Sequence, residues 1–332
     1  MSYSVQQWVL LFFAYCFLGW VWESCYVSLK KREWVNRGFL YGPWLPIYGF
    51  GAIAILLATL RFQDSLVLVF LAGMVSASLL ELFTGWLMEK LFHMRYWDYS
   101  QLPLNLNGYI CLPVSLAWGG FSLLLVEVIH PFVHKLAMWV YGDWSDIATL
   151  VLMALFAVDV TKSVQAVLDM KALLQKLTQS DNTLSRITLR LNESSDYIRQ
   201  LKDHMEHTAR QAKENLRTAG ADRLTERRSR KMRTVSSLLA KTEQFLEEIP
   251  QKLAEAGNDA EHQLLQKSQK SLQELHELLM KAEKELQERK NSDFRQAISI
   301  LRRNPTAVSH KYPAAFSEIQ SLKEQLKKKR KK

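Results

Sequence analysis

Glu23, Glu81 and Asp159 are acidic side chains that lie inside apolar stretches of the 332-residue chain. A charge at the centre of a bilayer costs about 2.5–3.5 kcal/mol on insertion scales, so such side chains usually face the interior of a helix bundle or a water-filled cavity. There they could take up a proton or a cation, or they could hold helices together. The alternative for Glu23 and Asp159 is that both side chains only reach the headgroup region.

Two unusual loops follow the first two carboxylates. The first, NRGFLYGPWLPIYGFG, begins at Asn36, and the second, RYWDYSQLPLNLNGYICLPVSLAWGG, begins at Arg95. Pro43 and Pro113 remove helical hydrogen bonds, and backbone freed in this way at membrane depth must be satisfied by protein or by cavity water. We therefore expect both loops to fold back against the bundle.

The charged side chains of these loops are expected to meet the carboxylates of the bundle. Arg37 and Arg95 are natural partners for Glu23, Glu81 or Asp98. The predicted polar cavity consists of Glu23, Asn36, Arg37, Glu81, Arg95, Asp98, Asn105, Asn107 and Asp159. The alternative is that the aromatic residues of the loops simply form a belt at the membrane interface, which is compatible with a polar site.

Five apolar segments are candidates for membrane spans, which need roughly 17–25 residues. They cover residues 5–29, 46–60, 66–88, 108–129 and 147–167. Lysines and arginines follow the first, third and fifth segments, and positive side chains are retained on the cytoplasmic side. The sequence therefore predicts an all-α, multi-pass protein of the cell membrane with its N-terminus outside and its C-terminus in the cytoplasm.

Small residues recur at every fourth position of the third segment. Gly73, Ala77 and Gly85 share this spacing with Glu81. In a helix this spacing puts all four residues on one face, and small residues on such a face allow two helices to approach closely. We therefore expect Glu81 to lie on a helix-packing face.

The two loops share a pattern of residues at identical offsets. The shared positions are Gly38, Pro43 and Gly49 in the first loop and Gly108, Pro113 and Gly119 in the second. Each loop also follows a segment with a small residue four positions before a glutamate. The pattern predicts a parallel two-fold repeat about an axis along the membrane normal. Chance recurrence among apolar residues is the competing explanation.

Several short motifs in the first half of the chain form a specific set. They are Asn36-Arg37-Gly38-Phe39-Leu40-Tyr41-Gly42-Pro43, Pro46-Ile47-Tyr48-Gly49, Glu81, Trp97-Asp98-Tyr99-Ser100, Asn105-Leu106 and Ile110-Cys111-Leu112. With these motifs, about residues 1–170 resemble the bacterial family of putative ABC-transporter type IV (CmpB-like) membrane proteins. The resemblance implies a permease. Tyr109 departs from the family pattern, in which arginine is expected.

The remainder of the chain is predicted to be a helical tail, so that residues 1–169 form a transmembrane domain and residues 170–332 a cytoplasmic one. About 34 lysines and arginines face 22 acids in the tail, against about 9 and 11 before it. Apolar residues recur at every seventh position, at Met170, Leu177, Leu184, Leu191, Ile198, Met205 and Ala212. This coiled-coil spacing predicts a helix that runs unbroken from 147 to 219. An antiparallel helical hairpin bundle, a self-associating coiled coil, or both would satisfy it.

Two basic runs, residues 223–233 and 327–332, could attract anionic lipid headgroups. The alternative is a solvated helix face and a frayed end. Nucleic acid is not expected, because the runs lack interleaved aromatic residues and no binding fold is visible.

The residues indicate no catalytic, cofactor or metal site. The three cysteines lack metal-type spacing, and no phosphate-binding GxxxxGK[ST] loop is present. A permease-like transport component would therefore need a separate ATPase subunit, or its carboxylates would couple to protons or cations. The alternatives are a membrane-anchored scaffold whose coiled-coil tail recruits partners and, last in order, an intramembrane enzyme.

Overall fold

A computed structural model gives the structure of the chain. It describes residues 3–59, 61–140, 144–191, 196–218, 223–288 and 291–330. Helices dominate this part of the chain, which confirms the all-α prediction. Its only sheet is a hairpin in which Asn105–Leu106 (β1) pairs antiparallel with Ile110–Cys111 (β2).

The α-helices are numbered in chain order. Their bounds are Val5–Lys31 (α1), Pro46–Thr59 (α2), Leu66–Phe92 (α3), Leu112–Leu124 (α4), His130–Val140 (α5), Ser145–Arg190 (α6), Asp196–Thr218 (α7), Arg223–Glu255 (α8), Asp259–Gln287 (α9), Asn291–Arg303 (α10) and Pro313–Arg330 (α11). A π-helical turn, Leu125–Ile129, joins α4 to α5. Proline begins α2 and lies in the first turn of α4, where its missing N–H has no helical acceptor to lose.

Four helices in the described part of the chain are long and apolar enough to cross a membrane. They are Val5–Lys31, Leu66–Phe92, Leu112–Leu136 and Ser145–Arg190. The remaining predicted span corresponds to α2, which has 14 residues and is about 21 Å long at 1.5 Å per residue. This is shorter than the roughly 30 Å hydrocarbon core of a bilayer. The fourth predicted span begins later and ends later in the structure than in the sequence prediction.

Although α2 is short, it returns the chain to the opposite end of the bundle. The loop after α1 and the loop after α3 both contact residues 303–308, so α1 and α3 end at the same side, which we call the loop end. Asp159 and Lys171 of α6 contact residues near the ends of those helices as well. The chain therefore passes five times between the two ends, and α1, α3 and the first part of α6 run in the same direction.

The small-residue face of α3 lies in the bundle interior. Gly73, Ala77, Glu81 and Gly85 are all buried, which is the face that their four-residue spacing predicted. A Cβ atom at Gly73 would overlap the side chain of the fully buried Ser122 on α4. The absence of a side chain at Gly73 therefore sets how closely α3 and α4 pack.

The chain divides into two compact units. The first contains residues 1–171 and 296–332, and the second contains residues 172–295. The sequence-based division at residue 169 instead assigns everything after it to one tail domain. The division at residue 169 stays a prediction. In the structure, the last 37 residues, 296–332, belong to the unit that holds the apolar helices.

The second unit is a bundle of antiparallel helices. Within it, α8 packs against both α7 and α9, and its core includes Ile198, Leu201, Leu238, Leu275 and Leu279. This matches the hairpin alternative of the sequence analysis, while self-association stays a prediction. The predicted unbroken helix is wrong, because α6 ends at Arg190 and α7 begins at Asp196. Leu191 lies in a turn, and residues 192–195 lie outside the described part of the chain. The side chain of Ala212 lies outside the described residues.

Replacing Gly73 by alanine should destabilise the bundle, because the added methyl group has no space beside Ser122. Overpacking of this kind costs about 1–3 kcal/mol, and thermal unfolding of the purified chain in detergent measures it. The matched control is Gly120→Ala on α4, where nothing lies within 4 Å of an added Cβ. An equal unfolding temperature for the two variants would contradict the close packing of α3 against α4.

Candidate functional site

Glu23 on α1 carries the first polar cluster at the loop end. Its Oε2 lies 3.0 Å from Nε of Arg37, and its Oε1 accepts a 3.0 Å hydrogen bond from the hydroxyl of Tyr48. The backbone N–H of Arg37 donates to Ser24 Oγ on the same helix. The side chain of Glu23 is 30% exposed and that of Arg37 is 14% exposed. Glu23 is therefore held in a charge-assisted network that solvent can still reach.

Glu81 on α3 is more deeply buried and has a different environment. It is 5% exposed, and its two carboxylate oxygens accept hydrogen bonds from the Tyr99 hydroxyl, at 2.9 Å, and from Trp118 Nε1, at 3.0 Å. In the described part of the chain, no lysine or arginine lies within ion-pair distance of Glu81. Neutral donors alone therefore hold this carboxylate.

The two glutamates are bound by residues that occupy equivalent positions of the repeated pattern. Tyr48 directly precedes Gly49, and Trp118 directly precedes Gly119, so each donor sits one residue before a repeated glycine. The rings of Tyr48 and Trp118 meet edge to face with centroids 6.3 Å apart. The hydrogen-bond donors of the two carboxylates are thus in contact with each other.

The packing of the repeated glycines is also equivalent. A Cβ at Gly49 would lie 2.7 Å from the ring of Phe12, and one at Gly119 would lie 2.6 Å from the ring of Phe70. Phe12 precedes Glu23 by the same number of residues as Phe70 precedes Glu81. These matched contacts support the prediction of two related halves in parallel orientation.

Arg95 pairs with the predicted partner Asp98 and also with Glu89, which the sequence analysis did not name. Nε of Arg95 lies 2.6 Å from Glu89 Oε2, and Nη1 lies 3.6 Å from Asp98 Oδ1. The guanidinium also stacks on the ring of Tyr109, 4.5 Å from its centroid, and the Tyr109 hydroxyl donates to the same oxygen of Glu89. A cation is therefore present beside position 109, although it comes from Arg95.

The charges of this second cluster shift each other's pKa. For Arg95, burial opposes the charged form, but the hydrogen bond and charge of Glu89 raise the pKa above its usual value. For Asp98, burial also opposes charge, whereas hydrogen bonds from Ser100 and the positive charge of Arg95 lower the pKa below its usual value. Both groups are thus held in their charged forms, as expected for a structural ion pair.

Asp159 and the three predicted asparagines shape the loops. Asp159 on α6 accepts hydrogen bonds from the consecutive N–H groups of Tyr41, at 3.0 Å, and Gly42, at 2.7 Å. Asn36 accepts from Trp20 Nε1 and donates to the Tyr41 carbonyl. The carboxylate and the amide therefore hold the first loop against two helices.

In the second loop, Asn105 bridges the hairpin by donating to the carbonyls of Ser100 and Leu102 and accepting from the N–H of Gly108. The carbonyl of Asn107 accepts from Arg95. Gly108 has φ +74°, and a Cβ there would lie 2.5 Å from Asp98 Oδ1. The structure thus distributes the nine predicted residues over several polar clusters along the loop end.

The C-terminal segment, residues 302–312, closes over both loops. Nη1 of Arg303 donates to the carbonyls of Phe39 and Leu40, at 3.3 and 2.8 Å, and its guanidinium stacks 3.9 Å from the ring centroid of Tyr41. Asn304 donates to the carbonyl of Gly38. Arg303 is 6% exposed and Asn304 2% exposed, so both are interior residues of the first unit.

The same segment pairs with the second loop. Arg95 and Val308 exchange two backbone hydrogen bonds of 2.9 Å. Thr306 Oγ1 donates to the carbonyl of Tyr96, and His310 contacts Asp98 across 3.2 Å. The C-terminal segment is therefore hydrogen-bonded to both loops and forms part of the loop end.

Arg37 connects this segment to the glutamate cluster. Besides Glu23, its guanidinium donates to the carbonyl of Arg303, to Asn304 Oδ1 and to Thr306 Oγ1 at 3.2–3.3 Å. One cation thus bridges α1 and the C-terminal segment.

Residues 10–164 match the family model described as putative ABC-transporter type IV. This match confirms the resemblance predicted from the loop motifs. No curated protein and no solved structure matches the chain.

The matched region contains most of α1, then α2 to α5 with both loops, and the part of α6 that carries Asp159. It excludes the C-terminal segment that binds those loops. The chain accordingly uses residues outside the matched region to complete its loop end.

Sequence reasoning missed Glu89, Glu127, His130 and the C-terminal segment. Glu89 was placed just beyond a predicted span, and Glu127 inside another was overlooked. At the opposite end of the bundle, His130 contacts the hydroxyls of Tyr3, at 3.0 Å, and Tyr15, at 2.7 Å. For the C-terminal segment, the available signal was Pro305 and Pro313, which interrupt the helical pattern of the tail.

Replacing Arg303 by alanine should release the C-terminal segment from the loops. Hydrogen bonds to charged groups contribute roughly 1.5–3 kcal/mol, so amide hydrogen exchange at Arg95 and Val308 should accelerate by about 10-fold or more. Hydrogen-exchange mass spectrometry of the intact chain measures this. The exposed neighbour Arg302, changed to alanine, is the matched control and should leave exchange at these two amides unchanged. Unchanged exchange in Arg303→Ala would show that the segment is held by other contacts.

Proposed function

We propose that the chain is the membrane-spanning, permease-like component of a transporter, with a polar layer that opens at the loop end. The family description of residues 10–164 and the four long apolar helices support a membrane protein involved in transport. The proposal goes further in assigning the glutamates to the transport path.

The pairing of Glu23 and Glu81 through Tyr48 and Trp118 is the observation that carries this proposal. Tyr48 donates to Glu23, Trp118 donates to the buried Glu81, and the rings of the two donors lie 6.3 Å apart. Glu23 already has a cation in Arg37. Glu81 is held only by neutral donors, so it can gain or lose a proton, or exchange a cation, without breaking an ion pair.

The basic residues that follow α1, α3 and the apolar part of α6 lie at the loop end. Because positive side chains are retained in the cytoplasm, we place the loop end and the tail there and the N-terminus outside, in the cell membrane. Cargo or the coupling ion would then enter the polar layer from the cytoplasmic side.

ATP hydrolysis, if it drives transport, comes from a separate subunit. The chain has no phosphate-binding GxxxxGK[ST] sequence, and we propose no enzymatic activity, cofactor or nucleic-acid partner for it. The helical bundle of residues 172–295 offers a surface for such a subunit or for a second copy of the chain.

The second candidate is a membrane-anchored scaffold. The observation that favours it is the size of the helical bundle formed by residues 172–295, which has a continuous apolar core of its own. A scaffold would use this bundle to recruit or space cytoplasmic partners, and the buried carboxylates would only hold the membrane helices together.

Gentle extraction of the tagged chain from its own membranes, followed by quantitative mass spectrometry, separates these functions. We expect an ATPase subunit in stoichiometric amount. The control is a variant in which a short Gly/Ser linker replaces residues 172–295. This linker can be short, because Gln296 Nε2 lies 3.4 Å from Asp169 Oδ2. Other cytoplasmic proteins, retained only by the full chain and without an ATPase, would favour the scaffold.

Glu81→Gln should abolish proton or cation flux in proteoliposomes of the purified complex. The amide keeps the shape of the side chain and an oxygen for Tyr99 or Trp118, but it cannot take up a proton or neutralise a cation. A pH- or cation-sensitive dye inside the vesicles measures the flux.

The matched control for this experiment is Glu127→Gln, since Glu127 is an exposed glutamate in the π-helical turn. This variant should retain the flux of the unmodified chain. Undiminished flux in Glu81→Gln, with unfolding temperature also unchanged, would remove Glu81 from the mechanism.

A further inference from the structure

A cleft of about 270 Å³ lies beside the loop end, where the last turn of α1 meets the C-terminal helices. Its walls come from the end of α1, the start of the first loop, α10 and α11. The lining residues are Lys31, Glu33, Trp34, Val35, Asn36, Arg302, Arg303, Lys323, Glu324 and Lys327. All of them belong to the first compact unit.

Positive charge dominates this cleft. Five of its lining residues are basic and two are acidic. The acids are close to two of the lysines, with Lys327 Nζ 2.7 Å from Glu33 Oε1 and Lys323 Nζ 3.6 Å from Glu324 Oε1. Glu33 and Glu324 can offset two of the five charges, so the cleft keeps an excess of positive charge.

The remaining basic residues differ in what they can offer a ligand. Arg303 already donates to two backbone carbonyls and helps to form the wall. Arg302 is exposed and Lys31 is half-buried, so both can direct their N–H groups into the cleft. Like charges gathered in one concave site repel each other, and a bound anion relieves that repulsion.

The position of the cleft indicates which anions reach it. Lys31 lies in the last turn of α1, which is one of the candidate membrane spans. The neighbouring Trp34 is 70% exposed, and tryptophan is enriched at the membrane–water interface. A cationic site at the end of a membrane helix meets lipid headgroups, and anionic lipids attract basic segments at that depth.

We propose that this cleft binds the phosphate of an anionic lipid headgroup. Arg302 and Lys31 contact the phosphate oxygens, Lys323 adds positive charge beside them, and Trp34 lies beside the acyl-chain boundary. Lys327, the first residue of the basic run 327–332, also lines the cleft, and the side chains of residues 328–332 lie outside the described part of the chain. Soluble phosphoesters carry the same phosphate group. A site for them would bind glycerol 3-phosphate and would show no preference for an anionic lipid over a zwitterionic one.

Native mass spectrometry of the full chain, released from nanodiscs, tests this proposal. The probes are phosphatidylglycerol, phosphatidylcholine and soluble glycerol 3-phosphate. We expect one phosphatidylglycerol to be retained in preference to phosphatidylcholine. The double variant Arg302→Gln/Lys323→Gln should weaken retention by about 30-fold, since each basic residue near an anionic surface contributes about 1 kcal/mol and 1.4 kcal/mol is a factor of ten.

Two further variants control the result. Lys267→Gln/Lys270→Gln removes two exposed lysines of α9 in the second unit and should leave retention unchanged. Glu33→Gln removes an acid from the cleft and should strengthen retention, which provides a test even if the double variant fails to fold.

Equal retention by the unmodified chain and the double variant would overturn the proposal. So would binding of glycerol 3-phosphate without any preference for phosphatidylglycerol over phosphatidylcholine, because the site would then be one for soluble phosphoesters.

Discussion

The guanidinium of Arg37 joins three parts of the chain that are far apart in sequence. It pairs with Glu23 on α1, it belongs to the first loop, and it donates to Arg303, Asn304 and Thr306 of the C-terminal segment. Because this guanidinium is largely buried, every N–H group that loses its acceptor would carry a desolvation cost. The position of the glutamate, the fold of the loop and the docking of the C-terminal segment therefore depend on one another.

The two halves of the bundle use the same packing but create different electrostatic environments. In both, a repeated glycine admits a phenylalanine ring, and the residue before that glycine donates a hydrogen bond to a glutamate. The difference lies in the loops, because Arg37 reaches Glu23 in the first half, whereas Arg95 turns towards Glu89 and Asp98 in the second. Glu81 is thereby left to Tyr99 and Trp118, and this asymmetry makes it the better candidate for a group that changes its charge.

Sequence reasoning predicted the chemistry of individual residues better than it predicted their grouping. The pairing of Arg37 with a carboxylate, the burial of Gly73 and Gly85, and the folding of the loops back against the bundle all follow from residue type and spacing. The expectation of a common cavity did not anticipate that Asp159 would hold the first loop through its backbone N–H groups. Every residue except proline has a backbone N–H group, so the sequence does not show which of these groups will donate to a carboxylate.

The apolar segments, their order and their small-residue faces were determined by the sequence itself, because burial of apolar surface and close helix packing act on short, regular spacings. Only the tertiary structure decided that α2 has 14 residues and is shorter than the hydrocarbon core of a bilayer. It also decided that the long tail helix ends at Arg190 and that residues 302–312 bind the loops. The contacts of Arg303 and Asn304 join residues more than 260 positions apart. Such contacts arise from shape and hydrogen-bond complementarity between distant segments, which local periodicity does not encode.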